Sequence, residues 1–151
     1  MTHYALLVGA GNTVFAATSF ATVSSGSGTF TVPEGANAIH IQYAVGGGGG
    51  AAGGSGAYIS DKILTVTEGE TITYAIGGGG APGNQTSNFG QPKTGSAGTN
   101  TTLSGSSTGS LFSLVGGGGA SGINGGVQGP LRTNIAGTAG AATISGTAIT
   151  S

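Results

Sequence analysis

Ile39-His40-Ile41-Gln42-Tyr43-Ala44-Val45 runs without a break into Gly46-Gly47-Gly48-Gly49-Gly50. The first part alternates apolar and polar residues, with Ile39, Ile41 and Tyr43 on one side and His40 and Gln42 on the other, which predicts a strand. The second part has no side chains at all. The same event occurs twice more: Thr71 to Ile76 runs into Gly77 to Gly80, and Leu111 to Val115 runs into Gly116 to Gly119. One device, a strand followed by a glycine tract, is therefore repeated three times.

A glycine tract costs more backbone entropy on folding than any other sequence, so something must offset it. A flexible linker escapes that cost, but linkers do not recur three times between strand-like segments. A phosphate-binding loop needs a strand leading in and a helix leading out. Gly9-Ala10-Gly11-Asn12-Thr13-Val14 follows an apolar run, yet its sixth position is Val14 and no helical pattern follows. No tract ends in Gly-Lys-Ser/Thr. The remaining reading is close backbone packing: extended glycine segments that lie against one another and hydrogen-bond laterally, as glycine does at the collagen axis.

Composition narrows the class. Of 151 residues, 35 are Gly, and charged residues make up 5%, against about a quarter of an ordinary chain. Lys62, Lys93 and Arg132 cannot form a basic face, so nucleic acid is not expected as a partner. With no cysteine, disulfides and thiolate metal sites are excluded. Met1-Thr2-His3-Tyr4 does not read as a signal peptide, and no apolar run approaches the roughly 18 residues that span a bilayer. A surface of Ser, Thr, Asn, Gln and Gly suits neutral, hydroxyl-rich ligands such as glycans.

Strands are expected at Thr13–Val23, Thr29–Val32, Ala38–Val45, Ala57–Ser60, Lys62–Val66, Thr71–Ile76 and Leu111–Val115, punctuated by turns at Pro33-Glu34-Gly35 and Thr67-Glu68-Gly69-Glu70. Residues 81–110 read as a long polar loop. The expected fold is all-β: a β-sandwich-like domain with glycine-rich extended, polyglycine II-like segments and long loops. Phe15, Phe20, Phe30, Tyr43, Tyr58, Tyr74, Phe89 and Phe112 are expected to fill its core.

Chemistry-bearing residues are few. His3 and His40 are isolated, and no metal site or cofactor is expected. Glu68 and Glu70 flank the glycine of a turn, which predicts solvated carboxylates rather than an acid/base pair. Ser55 lies inside a glycine tract, not on a nucleophile elbow, so no catalytic residue is assigned and the protein is expected not to be an enzyme. Asn84-Gln85-Thr86 and Asn100-Thr101-Thr102 match the glycosylation sequon but read as loop sequence.

An ordered series carries a family resemblance: Phe30-Thr31-Val32-Pro33-Glu34-Gly35, Ile39-His40-Ile41, the tract at Gly46, Gly56-Ala57-Tyr58, Leu64-Thr65-Val66-Thr67-Glu68-Gly69, and Tyr74-Ala75-Ile76 with its glycines. Residues 29 to about 120 resemble a glycine-rich domain of bacteriophage tail-fibre and receptor-binding (adhesin) proteins. The resemblance implies a virion structural protein at a fibre tip or outer surface. It would attach to the host through a surface polysaccharide or outer-membrane protein and be held by other virion proteins. Fibre modules close around a threefold axis and the core is modest, so a homotrimer is expected. Residues 1–28 fall outside the resemblance and are expected to be an attachment or oligomerisation segment, leaving 29–151 as the glycine-rich β domain. The expected receptor contacts are Asn84, Gln85, Asn88, Phe89, Gln91, Asn100 and Thr101 in the polar loop, with Phe89 as a stacking platform. The tract tips at Ala51-Ala52, Ala81-Pro82 and Ala120-Ser121 form a second candidate surface. A capsid or tail decoration protein and an ice-binding protein are the alternative functions.

Overall fold

The computed structural model describes residues 2–8, 16–50, 53–83, 92–123 and 134–148. They form strands β1 (Thr2–Val8), β2 (Ala16–Val23), β3 (Gly26–Thr31), β4 (Ala36–Val45), β5 (Tyr58–Thr65), β6 (Thr71–Ile76), β7 (Pro92–Thr94), β8 (Thr101–Gly105), β9 (Gly109–Leu114), β10 (Ser121–Ile123), β11 (Asn134–Ile135) and β12 (Ala142–Ile144), with no helix among them. All pairings are antiparallel. One sheet has the order β2-β1-β4-β5, a second β12-β9-β8-β6-β3, and a small third β11-β10-β7. The all-β, sandwich-like expectation is met.

The first two sheets share a core. Ile39, Ile41, Ile59 and Leu64 come from one, and Ile72, Leu103, Leu111, Phe112 and Leu114 from the other. The core is mainly aliphatic, not aromatic. Phe112 is fully buried and Phe30 and Tyr74 pack against the cluster, but Tyr58 is 70% exposed. Tyr58 opens β5, where alternation sends the neighbouring Ile59 inward and Tyr58 out. Phe15 and Phe89 lie outside the described residues, as does the side chain of Phe20. The two segments expected around Ser60 and Lys62 are one strand, β5, with Asp61 at φ 50°. The boundary expected after residue 28 falls inside β3, and β1 pairs with both β2 and β4, so backbone from the N-terminal stretch extends the first sheet.

Beyond the sandwich the chain forms six extended struts: strut 1 (46–50), strut 2 (53–57), strut 3 (77–81), strut 4 (95–99), strut 5 (115–120) and strut 6 (137–141). None bonds to itself among the described residues. Donors turn to the same neighbour every third residue, the signature of a threefold extended backbone. In strut 1, Gly46 and Gly49 donate to Ala57 and Gly54 of strut 2, while Gly47 and Gly50 donate to Thr99 and Ser96 of strut 4. In strut 4, Gly95 and Gly98 donate to Ala120 and Gly117 of strut 5, while Ser96 and Thr99 donate to Ala81 and Gly78 of strut 3. In strut 5, Gly117 and Ala120 donate to Gly47 and Gly50, and Val115 and Gly118 to Ala141 and Thr138 of strut 6. With Gly54 N to Gly118 O (2.8 Å), Gly80 N to Gly48 O (2.7 Å) and Gly140 N to Ser55 O (2.9 Å), the struts form two rows, 3-1-2 and 4-5-6, each strut nested against the other row. This is the expected polyglycine II-like arrangement, closed within one chain.

Glycine follows from the packing. Struts 1 and 5 each touch four others, and every residue from 46 to 50 and from 116 to 119 is Gly. A Cβ on Gly117 would overlap the Gly54 carbonyl, and one on Gly47 the Gly78 carbonyl. Outer struts need glycine where they face inward, at Gly98 in strut 4 and at Gly137 and Gly140 in strut 6, where a Cβ would overlap a neighbouring carbonyl; Gly95 is buried, and Ser96, Ala97, Thr138 and Ala139 between these glycines are exposed. Residues 81–110, expected as one loop, therefore hold β7, strut 4 and β8. The Gly-x-x-Gly spacing at 95–98 was the missed signal.

At the far end of the sandwich, one carboxylate ties two turns. Glu70 is only 4% exposed, so the expectation of a solvated side chain fails for it. It accepts hydrogen bonds from Thr67 N (2.6 Å), Ser107 N (3.0 Å), Thr108 N (3.0 Å) and Thr108 Oγ1 (3.1 Å), joining the β5–β6 turn to the β8–β9 turn. Glu68 remains exposed and accepts from Gly35 N. Burial raises the Glu70 pKa, but these hydrogen bonds outweigh it and hold the carboxyl below its usual value.

Two predictions follow from these contacts. Gly117→Ala is expected to destabilise by about 2–3 kcal/mol, as overpacking against rigid backbone does. Gly79→Ala, whose Cβ would meet nothing closer than 3.8 Å, should be neutral or stabilising by up to about 1 kcal/mol. Thermal melts of the two variants compare them directly, and equal losses would refute the lattice. Because the folded pKa of Glu70 is depressed, its contribution is full above the unfolded value and lost as pH falls through the folded one. Glu70→Gln should cost about 2 kcal/mol at pH 7 and flatten the acid side of the stability curve, read from melts between pH 7 and 3.

Candidate functional site

The six struts are three excursions. Struts 1, 3 and 5 continue β4, β6 and β9 outward; struts 2, 4 and 6 lead back to β5, β8 and β12. The strand register carries straight on. Val45 pairs with Tyr58, and Gly46 N then bonds Ala57 O; Thr101 pairs with Leu114, and Gly98 N bonds Gly117 O. All three connections, residues 51–52, 82–94 and 121–136, consequently leave from the end of the lattice remote from the sandwich. At about 3.1 Å per residue, a five-residue strut raises that end by about 15 Å.

This end carries the third sheet. β10 lies between β7 and β11, with Gly122 opposite Lys93 on one side and Asn134 on the other. Short pairings thus tie the second and third connections together. Below them, the struts expose mainly small side chains, Ser55, Ala81, Ser96, Ala97, Thr99, Thr138 and Ala139, with the larger Val115 exposed at the foot of strut 5. Hydroxyls among them satisfy outward backbone, Ser96 Oγ accepting from Ala81 N at 2.7 Å and Thr99 Oγ1 from Gly78 N at 2.8 Å.

The predicted contact residues divide. Asn84, Gln85, Asn88, Phe89 and Gln91 lie outside the described residues, in the second connection. Asn100 and Thr101 sit at the opposite end of strut 4, where it enters β8. Asn100 is exposed but its Oδ1 accepts from Gly116 N at 3.1 Å. Thr101 is fully buried; its hydroxyl accepts from Gly77 N (2.8 Å) and donates to Val45 O (2.6 Å). That one side chain closes the gap where struts 1, 3 and 4 leave the sandwich, so its work is structural. Of the second candidate surface, Ala51 and Ala52 lie outside the described residues, Ala81 and Pro82 are exposed at the remote end, and Ala120 is buried beside strut 1.

The other polar pair is on the sandwich. His40 Nε2 lies 2.8 Å from Asp61 Oδ1, the ring partly covered and the carboxylate 88% exposed. No third ligand joins them, and no group of three or more His, Cys, Asp or Glu forms among the described residues.

A family model described as a glycine-rich domain matches residues 22–150, which takes in every strut and all strands from the end of β2 to β12. No curated protein and no solved structure matches the chain. With most of its length inside that family model, and with the glycines accounted for by the lattice, the chain belongs to the glycine-rich domain family.

Proposed function

We propose that the protein is a non-enzymatic phage virion component, a tail-fibre tip or receptor-binding module that recognises the bacterial host surface through the connections at the remote end of the lattice. The observation that supports this reading best is the convergence of all three connections on one end. Backbone-bonded struts offer few side chains to vary, so chemical variety is concentrated in the two longer connections, residues 82–94 and 121–136. The motif series from Phe30 to Gly80 supports the phage assignment by resemblance.

On this reading, replacing residues 84–91 with a short Gly-Ser bridge leaves struts 3 and 4 intact. The change should lower adsorption of the parent phage at least tenfold while the melting temperature of the purified protein stays unchanged. Quantitative mass spectrometry of virions should find a few copies per particle. Many copies across the shell, with normal adsorption of the loop-replaced phage, would instead point to a capsid or tail decoration protein. The proposal includes a homotrimer, expected in light scattering as three times the 14.1 kDa chain mass at low micromolar concentration. A folded monomer would remove the trimer.

A further inference from the structure

Two features of the lattice are not accounted for within one chain. The first is a pair of backbone donors. A threefold extended backbone turns its N–H groups by a third of a revolution per residue. In strut 1, Gly46 and Gly49 donate to strut 2, and Gly47 and Gly50 to strut 4. Gly48 N therefore points in the remaining direction, out of row 3-1-2 and away from row 4-5-6. In strut 3, Gly80 donates to Gly48 O of strut 1, while Gly78 and Ala81 donate to the hydroxyls of Thr99 and Ser96 in strut 4. Gly79 N is left pointing outward in the same way. Neither N–H has a partner among the described residues, and the Gly79 and Gly80 carbonyls accept no bond there.

The second is glycine itself. A Cβ on Gly46, Gly47, Gly49, Gly50, Gly77 or Gly80 would come within 3.0 Å of neighbouring backbone. A Cβ on Gly48, Gly78 or Gly79 would meet nothing closer than 3.8 Å. These three glycines are exposed, and none has the positive φ that favours glycine. Each costs backbone entropy that an alanine would spare. At other outward strut positions the sequence uses side chains: Ser55, Ser96, Ala97, Thr99, Thr138 and Ala139. Strut 3 alone is bare on two outward flanks, with Gly79 on the side of strut 1 and Gly78 on the side of Thr99.

We infer that strut 3 is the contact between copies of this chain: it lies in the groove between struts 1 and 3 of the next copy, and three such segments close around a threefold axis. The inference rests on the homotrimer proposed above and supplies its interface. That groove is the next vacant position of the lattice, so the contact continues the packing already made between rows 3-1-2 and 4-5-6. Gly48 N and Gly79 N then reach strut 3 carbonyls of the two other copies. One flank of strut 3 receives a neighbour while the other is inserted, which makes the contact head-to-tail, and a rotation of a third of a turn closes it. Three extended chains with glycine inward repeat the packing of the collagen axis. A Cβ at Gly79 would be felt only by a neighbouring copy, which is why Gly79→Ala is expected to be harmless to the fold of the single chain.

The test is light scattering of the intact chain at low micromolar concentration. Wild type is expected at three times the 14.1 kDa chain mass. Gly48→Gln fills the groove and Gly78→Gln thickens the inserted flank. Each should run as a single 14.1 kDa chain with the circular dichroism of the wild type, which shows that it still folds. Ala139→Gln puts the same side chain on strut 6, at the opposite end of the lattice, and should remain trimeric. A trimer that survives both glycine substitutions, or an equal loss in Ala139→Gln, would overturn the inference and leave the trimer standing. A monomeric wild type, its groove left to a strut of some other protein, would overturn both. Host attachment is decided separately, through virion stoichiometry and adsorption.

Discussion

Backbone that carries no side chains must find its hydrogen-bond partners in other backbone, and here that requirement governs everything above the sandwich. In the sandwich, two sheets stand about 10 Å apart because side chains such as Ile39 and Phe112 fill the gap. Where β4, β6 and β9 turn to glycine the filling ends, and the separation collapses until strands of opposite sheets bond directly. Gly117 N reaches Gly47 O at 2.8 Å across what was the core, and Gly54 N reaches Gly118 O at the same distance. Hydrophobic burial gives way to lateral hydrogen bonding without any break in strand register.

That transition depends on a few polar side chains placed where neither regime applies. Thr101 is buried at the junction and bonds to both Gly77 and Val45, satisfying a donor and an acceptor that have left the sheet and not yet joined the lattice. Asn100 does the same for Gly116. At the other end, Glu70 collects three backbone N–H groups and a hydroxyl from two turns. Leaving such groups unpaired costs about 1–3 kcal/mol each where water cannot reach them, so these side chains are placed by the backbone they serve.

Much of the fold was legible. The strand–glycine device located β4, β6 and β9 and the struts that follow them, because alternation and side-chain-free tracts are both local signals. Struts 4 and 6 were not legible as tracts, since each has few neighbours and needs Gly only every third residue, leaving Ser96, Ala97, Thr138 and Ala139 to disguise it. Thr101 shows the limit for the site. Its residue type and its polar neighbours match a contact loop, and only the long-range approach of strut 3 and Val45 shows that it is buried. Glu70 misled for the same reason: Glu68 and Glu70 look alike in sequence, but the β8–β9 turn closes over only one of them.

The economy of side chains has a consequence for recognition. Inside the lattice, positions such as Gly47, Gly50 and Gly117 are fixed by carbonyls that a Cβ would overlap, so substitution there changes the scaffold before it changes a surface. Apart from Val115, outward positions on the struts carry small residues, and two of them, Ser96 and Thr99, are already bonded to backbone. Within the three excursions, the Gln, Lys and Arg residues of the sequence all fall in the connections, at Gln85, Gln91, Lys93, Gln128 and Arg132. The register that positions the ends of the struts, from which the connections leave, is set about 15 Å below by the pairing of β4 with β5 and of β8 with β9.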